Sequence, residues 1–113
     1  MGFHERMLSL AAKVAILRKD KRAFRLGAIG IRQDGTLVSS PNGPAVSPDV
    51  QHHAEARLSH KLDRGATVYV VRVAKDGSWA CAKPCYPCMC LMAARGVKKV
   101  YWSECDGYNC RWL

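Results

Sequence analysis

The sequence has no long hydrophobic run, no internal repeat and no low-complexity tract. Its most apolar N-terminal stretch, residues 7–17, is interrupted by Lys13 and preceded by Glu5 and Arg6. It falls short of the run of about 18 apolar residues that a transmembrane helix requires, and it lacks the pattern of a secretory signal. The chain also has no serine- or glycine-rich linker. These absences predict one α/β domain over residues 1–113, without a membrane partner.

Acidic residues are scarce. The chain has 9 Asp and Glu against 18 Lys and Arg, for a net charge of +9, while 49% of its residues are hydrophobic and 24% are charged. Such a composition excludes a disordered chain, and the positive field attracts phosphate, so nucleotides and nucleic acids are plausible partners. Five basic residues lie close together around Phe24: Arg18, Lys19, Lys21, Arg22 and Arg25. Both a solvated loop and a phosphate-contacting patch fit this stretch.

The six cysteines favour metal binding over disulfides. No export signal is present, and Cys85, Cys88 and Cys90 are closely spaced, which fits metal ligation in a reducing, cytoplasmic environment. Three other cysteines are expected to be small buried residues of the core: Cys81, Cys105 and Cys110. Cys90 is also expected in the core, because a helix turns it away from the metal.

Apolar periodicity and turn residues predict the element order α-β-β-α-β-α-β-β. A first helix is expected to pack through Phe3, Met7, Leu10, Val14 and Leu17. A hairpin follows around Asp34-Gly35, then a proline-rich loop and a second helix over about 51–63. The apolar strand at 66–74 is expected to be central. A third helix over 86–95 ends at Gly96, and strands at 97–103 and 108–113 complete the chain.

Two short motifs stand at the starts of the second and third predicted helices. The first is His53-Ala54-Glu55, and the second is the segment 84–88, Pro-Cys-Tyr-Pro-Cys. Two thiolates spaced as CxxC at a helix start can face one ion, and one imidazole supplies a third ligand. Three protein ligands leave a zinc position open for a water whose pKa falls to roughly 7. Glu55, two residues after His53, is then suited to carry the proton.

These motifs resemble those of the zinc-dependent cytidine deaminase superfamily, in which H-A-E precedes P-C-x-x-C with a strand between them. The resemblance covers nearly the whole chain. It implies an α/β three-layer fold, with a central mixed five-stranded sheet flanked by helices and the last two strands antiparallel. The segment 78–83, which contains Trp79, is longer than the family usually shows there, and a longer hairpin could reshape the pocket.

The resemblance also implies roles for individual residues. One catalytic zinc ion is expected on His53, Cys85 and Cys88, with Glu55 as the proton carrier. Three residues are expected to contact the substrate: Asn42, Ala54 and Pro84. The side-chain amide of Asn42 would contact the sugar, and the backbone of Ala54 would contact the ring carbonyl. An asparagine in Ser40-Pro41-Asn42-Gly43 also suits a turn on its own account.

Three functions remain open at this stage. The short tail after Ser103 resembles the branch that deaminates free nucleosides, so a cytosine nucleoside or nucleotide is the first expectation. Deamination of single-stranded DNA or RNA is the second, with Trp79 and Tyr86 as stacking candidates. The third is a non-enzymatic nucleic-acid-binding module, in which Cys105 and Cys110 complete a closed four-thiolate zinc site. A homo-oligomer is compatible with all three.

Overall fold

The computed structural model describes residues 2–17, 24–41, 58 and 61–113. Two helices and six strands follow one another in these ranges: α1 (Phe3–Leu17), β1 (Phe24–Ile31), β2 (Leu37–Pro41), β3 (Thr67–Ala74), β4 (Trp79–Ala80), α2 (Tyr86–Ala94), β5 (Lys99–Glu104) and β6 (Gly107–Trp112). Of the predicted second helix, Leu58 is helical and residues 61–63 are not, and the remainder lies outside the described residues. No helix in the described ranges is both long and apolar enough to span a bilayer.

The strands form one mixed sheet in the order β2-β1-β3-β5-β6. Strands β3 and β5 run parallel, and the other described pairs are antiparallel, including β5 with β6 as expected. The prediction of five strands is wrong by one, because β4 adds a two-residue strand to the edge of β3. Strand β3 is central, and residues 68–71 along it are buried, which confirms that both of its faces are covered.

A separate apolar core lies on each face of the sheet, which makes the fold three-layered. On one face α1 packs over β1 and β3, with Tyr69 and Val71 among the buried residues. On the other face Val68 and its neighbours pack against Leu58, against Leu62 and against Met92, which belongs to α2. Alternate residues of β3 enter opposite cores, as the period of two along a strand requires.

Helix α1 buries part of the stripe that its periodicity predicts: Met7 is buried, and Leu10 and Val14 are half-buried against the same core. The fully covered positions are Leu8, Ala11 and Ala15, one residue along from the predicted stripe, whereas Phe3 is exposed. The reason lies in β1, where a Cβ on Gly27 would collide with the backbone oxygen of Ala11 and the backbone nitrogen of Ala15. A strand without a side chain at this point lets the alanine face approach most closely, so close packing overrides the larger apolar side chains.

Helix α2 ends as its sequence predicts. The amide of Gly96 donates to the carbonyl of Ala93, and the amide of Val97 donates to that of Met92, which is the Schellman arrangement. Gly96 has φ of +89°, a conformation that favours glycine. After this sharp end the chain soon enters β5 at the amino end of the strand. The start of α2 therefore lies towards the carboxyl ends of β3 and β5.

Candidate metal centre

Cys85 and Cys88 lie at the N-terminus of α2. Cys85 is the N-cap, with an extended backbone at φ −67° and ψ 161°, and its carbonyl accepts the first helical hydrogen bond from Met89. Pro87 occupies the first turn, where the missing amide hydrogen costs the helix nothing. The Cys85 thiol makes no capping bond to the helix backbone. The sequence therefore begins a helix here without using the thiol to do so.

The two thiols lie side by side at the start of α2. Their Sγ atoms are 3.2 Å apart, much farther than the S–S bond of about 2.05 Å in a disulfide. Two thiolates bound to one tetrahedral zinc at about 2.3 Å each lie about 3.8 Å apart, so the pair needs to open by only about half an ångström. The positive end of the α2 dipole also favours negative charge at this position. The donor set therefore fits zinc.

The segment that delivers Cys85 is tied to the sheet by Ser103, a fully buried residue of β5. Its hydroxyl accepts from the amide of Arg72 at 3.2 Å and donates to the carbonyl of Ala80 at 2.7 Å. Its own carbonyl accepts from the amide of Ala82 at 2.9 Å. One side chain thus joins β3, β4 and β5 at the carboxyl ends of the two parallel strands, which is where open α/β sheets form their ligand sites.

The sequence reasoning missed this role of Ser103, which it treated only as the last residue of a strand. The available signal was a hydroxyl at the end of a run of large apolar residues, Val100 to Trp102. A polar side chain among such neighbours needs hydrogen-bond partners once it is buried. The segment 78–83, which precedes the Pro-Cys-Tyr-Pro-Cys motif, contains β4. Strand β4 pairs with β3, and the Ser103 hydroxyl is hydrogen-bonded to both of these strands.

Two of the three predicted zinc ligands can be placed. Pro84, a predicted substrate contact, is buried immediately before Cys85, and Cys88 is buried while Cys85 is exposed. The other predicted site residues, Asn42, His53, Ala54 and Glu55, lie outside the described residues. Within the described ranges no three His, Cys, Asp or Glu side chains come together. The complete ligand set therefore stays a prediction.

The remaining cysteines do not behave as expected. Four of them were predicted to be core residues, and all four are exposed: Cys81, Cys90, Cys105 and Cys110. The last two lie in the turn before β6 and on β6, the edge strand, whose residues are all exposed. The four-thiolate arrangement with Cys85 and Cys88 is not formed, because all of its members are described and no group of three is present among the described residues.

The two aromatic residues near the motif have different surroundings. Trp79 is half-buried and packs against the core beneath α1. Tyr86 is 81% exposed directly after Cys85. A hydrogen bond with Cys90 raises the pKa of Tyr86. Of the two, only Tyr86 presents a ring to solvent beside the thiol pair.

The sheet order, the parallel β3–β5 pair and the thiol pair at the start of α2 define an α/β protein with a candidate metal centre at the carboxyl edge of its sheet. Solved structures with a similar fold include cytidine deaminases. The chain is similar to the cytidine deaminase of Mycobacterium leprae, with a TM-score of 0.64 and 18% identity, over 97% of this chain and 94% of that one. It is also similar to the cytidine deaminase of Mycobacterium tuberculosis, with a TM-score of 0.62 and 18% identity, over 96% of this chain and 90% of that one. No protein-family model and no curated protein sequence matches the chain. The chain therefore has the cytidine deaminase fold.

Proposed function

We propose that this chain is a single-domain, zinc-dependent hydrolase over residues 1–113, which converts the cytosine base of a nucleoside or nucleotide to uracil and ammonia. The observation that carries the proposal is the thiol pair at the start of α2, with Sγ atoms 3.2 Å apart, at the carboxyl edge of a cytidine deaminase fold. Thiolate ligands persist in a reducing environment, so the proposal includes the cytoplasm as its setting.

In this proposal His53, Cys85 and Cys88 hold the zinc ion. Zinc supplies Lewis acidity, which makes water a competent nucleophile at neutral pH. The Glu55 carboxylate would take a proton from the attacking water and deliver it to the ring nitrogen next to the reacting carbon. It would then take the second proton from the hydroxyl group now on that carbon and give it to the departing amine. The C–O bond that forms replaces the C–N bond that breaks, so cytosine and water give uracil and ammonia.

The proposed substrate contacts come from three segments. Pro84, which is buried immediately before Cys85, is the first of them. The Ala54 backbone contacts the ring carbonyl and the Asn42 amide contacts the sugar. An amide can donate to one sugar oxygen and accept from another, so it suits a hydroxyl-bearing ligand.

A second candidate is deamination of bases in single-stranded DNA or RNA. It is favoured by the exposed ring of Tyr86 beside Cys85 and by the net charge of +9. Aromatic stacking combined with a basic surface is how proteins bind single strands. The likeness of the fold to cytidine deaminases favours the nucleoside.

The deciding experiment incubates the zinc-loaded full chain with cytidine, dCMP and single-stranded DNA, and follows ammonia release and base conversion together. We expect turnover of a free nucleoside or nucleotide. Glu55→Gln should keep bound zinc and lose at least about 100-fold in kcat, because the amide cannot shuttle a proton. Glu5→Gln, an exposed position on α1, is the matched control. Full activity of Glu55→Gln would refute its role, and efficient turnover of DNA alone would favour the second candidate.

A further inference from the structure

A second concave surface lies away from the thiol pair. It is a cleft of about 420 Å³ at the amino ends of β3 and β5, on the α1 side of the sheet. We call it the basic cleft and define it by these residues: Phe3, His4, Arg32, Lys98, Lys99 and Trp112. Strand β4, which leads to Cys85, joins β3 at Arg72 and Val73. That junction is about 16 Å along the strand from Thr67, at about 3.3 Å per residue. The two sites are therefore separate.

The floor of the basic cleft is a stack of aromatic rings. Tyr69 and Tyr101 are register partners on β3 and β5, with ring centroids 4.8 Å apart at an interplanar angle of 12°. The ring of His4 continues the stack at 4.4 Å from that of Tyr101, and its Nδ1 lies 2.8 Å from the Tyr69 hydroxyl. His4 is half-buried and joins the start of α1 to the sheet.

Two large aromatic side chains at the rim are exposed. Trp112 is 68% exposed on β6, and Phe3 is 56% exposed in the first turn of α1. Helix α1 packs mainly over β1 and β3, and its first turn reaches β5 through the ring of His4, so Trp112 on β6 lies beyond the main contact of the helix with the sheet. Exposed rings of this size in a basic surface point to a ligand with flat apolar faces and negative charge.

The cations lie beside these rings. Lys99 Nζ is 4.4 Å from the centroid of the Trp112 ring and 5.0 Å from that of Tyr101. A hydrogen bond to Tyr101 raises the pKa of Lys99, which keeps the ammonium charged. Lys98 is exposed next to it. Arg32 forms an ion pair with Asp63, with Nε and Oδ2 3.7 Å apart. In the described part of the chain, Lys98 and Lys99 are the cations of the basic cleft that have no carboxylate as an ion-pair partner.

From this geometry we propose that the basic cleft binds single-stranded nucleic acid, with bases stacked on Trp112 and Phe3 and phosphates held by Lys98 and Lys99. Charge complementarity selects this occupant: a polynucleotide is uniformly anionic, and the chain carries a net charge of +9. A duplex hides its base faces within its own stack, so the exposed rings discriminate in favour of single strands. The proposal does not depend on the deaminase reaction, because the cleft is remote from the thiol pair.

The test measures fluorescence anisotropy of a labelled oligothymidylate of about 12 nucleotides with the full chain, at salt concentrations of about 50 and about 200 mM. Trp112→Ala should weaken binding about 5- to 100-fold, whereas Trp112→Phe should retain most of it. Lys98→Gln combined with Lys99→Gln should reduce the slope of log affinity against log salt by about 1.4. Lys75→Gln, an exposed lysine in the turn after β3, is the charge-matched control and should change little.

Several results would overturn the proposal. The first is an unchanged affinity for the oligonucleotide in Trp112→Ala. The second is an effect of Lys75→Gln on the salt slope as large as half of the effect of the double Lys98→Gln, Lys99→Gln variant. The third is an affinity for a duplex or for a mononucleotide that equals the affinity for the single strand. A change of oligomeric state in Trp112→Ala with oligonucleotide affinity intact would assign the face to contact between copies of the chain. Cytidine turnover by the same variants, measured in parallel, separates this outcome from failure of the proposed enzymatic function.

Discussion

Ser103→Ala tests whether a single hydroxyl holds the candidate metal centre to the sheet. The substitution removes the acceptor of the Arg72 amide and the donor to the Ala80 carbonyl, and these bonds measure 3.2 Å and 2.7 Å. Ser103 is fully buried, so water cannot replace the missing partner without a local rearrangement. Each bond contributes about 1 kcal/mol, and the half-buried Ala80 carbonyl that loses its donor adds to the cost. The expected loss in the free energy of unfolding is about 2 to 3 kcal/mol.

The assay is urea unfolding followed by tryptophan fluorescence, on protein stripped of metal and on protein loaded with zinc. A loss of this size moves the midpoint by about 1 to 2 M urea at an unchanged slope. Because the segment tied down by Ser103 delivers Cys85, zinc affinity should also fall, by about 10-fold. Ser39→Ala, which removes an exposed hydroxyl from β2, is the control and should stay within about 0.5 kcal/mol. If Ser103→Ala and Ser39→Ala unfold at the same urea concentration, the anchoring role is wrong.

The other predictions concern the thiols, the α1 interface and a buried phenol. Cys85→Ser should lose bound zinc, measured by elemental analysis, while Cys105→Ser should keep it; equal zinc content in both would refute the ligand assignment. Gly27→Ala should lower the free energy of unfolding by more than about 2 kcal/mol, since its Cβ meets helix backbone, whereas Gly2→Ala should be neutral, since its Cβ would make only an ordinary van der Waals contact with the Glu5 side chain. Burial raises the pKa of Tyr69 to about 12 from 10.0. The folded state therefore holds this proton more tightly, and the stability it confers is complete below pH 10 and is lost as pH rises towards 12. Tyr69→Phe should flatten that decline, and an unchanged alkaline slope would contradict this interpretation.

Local chemistry in the sequence determined the features that depend on near neighbours. The helix end at Gly96, the turn at Asp34-Gly35 and the central position of β3 could all be predicted, because turn geometry and continuous apolar runs act over a few residues. The start of α2 was also predictable, since a proline in the first turn suits a helix N-terminus. The CxxC spacing therefore indicated a thiol pair on one helix turn, and the Sγ separation of 3.2 Å agrees with it.

Only the tertiary structure decided which surfaces meet. Periodicity predicted an apolar stripe on α1 that includes the buried Met7, but close approach at Gly27 centres the packing on the neighbouring residues Ala11 and Ala15, and no local rule contains that information. Ser103 is distant in sequence from Arg72 and Ala80, and its hydroxyl joins them only after folding. Cysteine is usually a buried residue, yet Cys105 and Cys110 are exposed because β6 is an edge strand with no element packed outside it in the described chain. Burial depends on what lies across a residue in space, and that is set by the completed sheet rather than by the residue's neighbours along the chain.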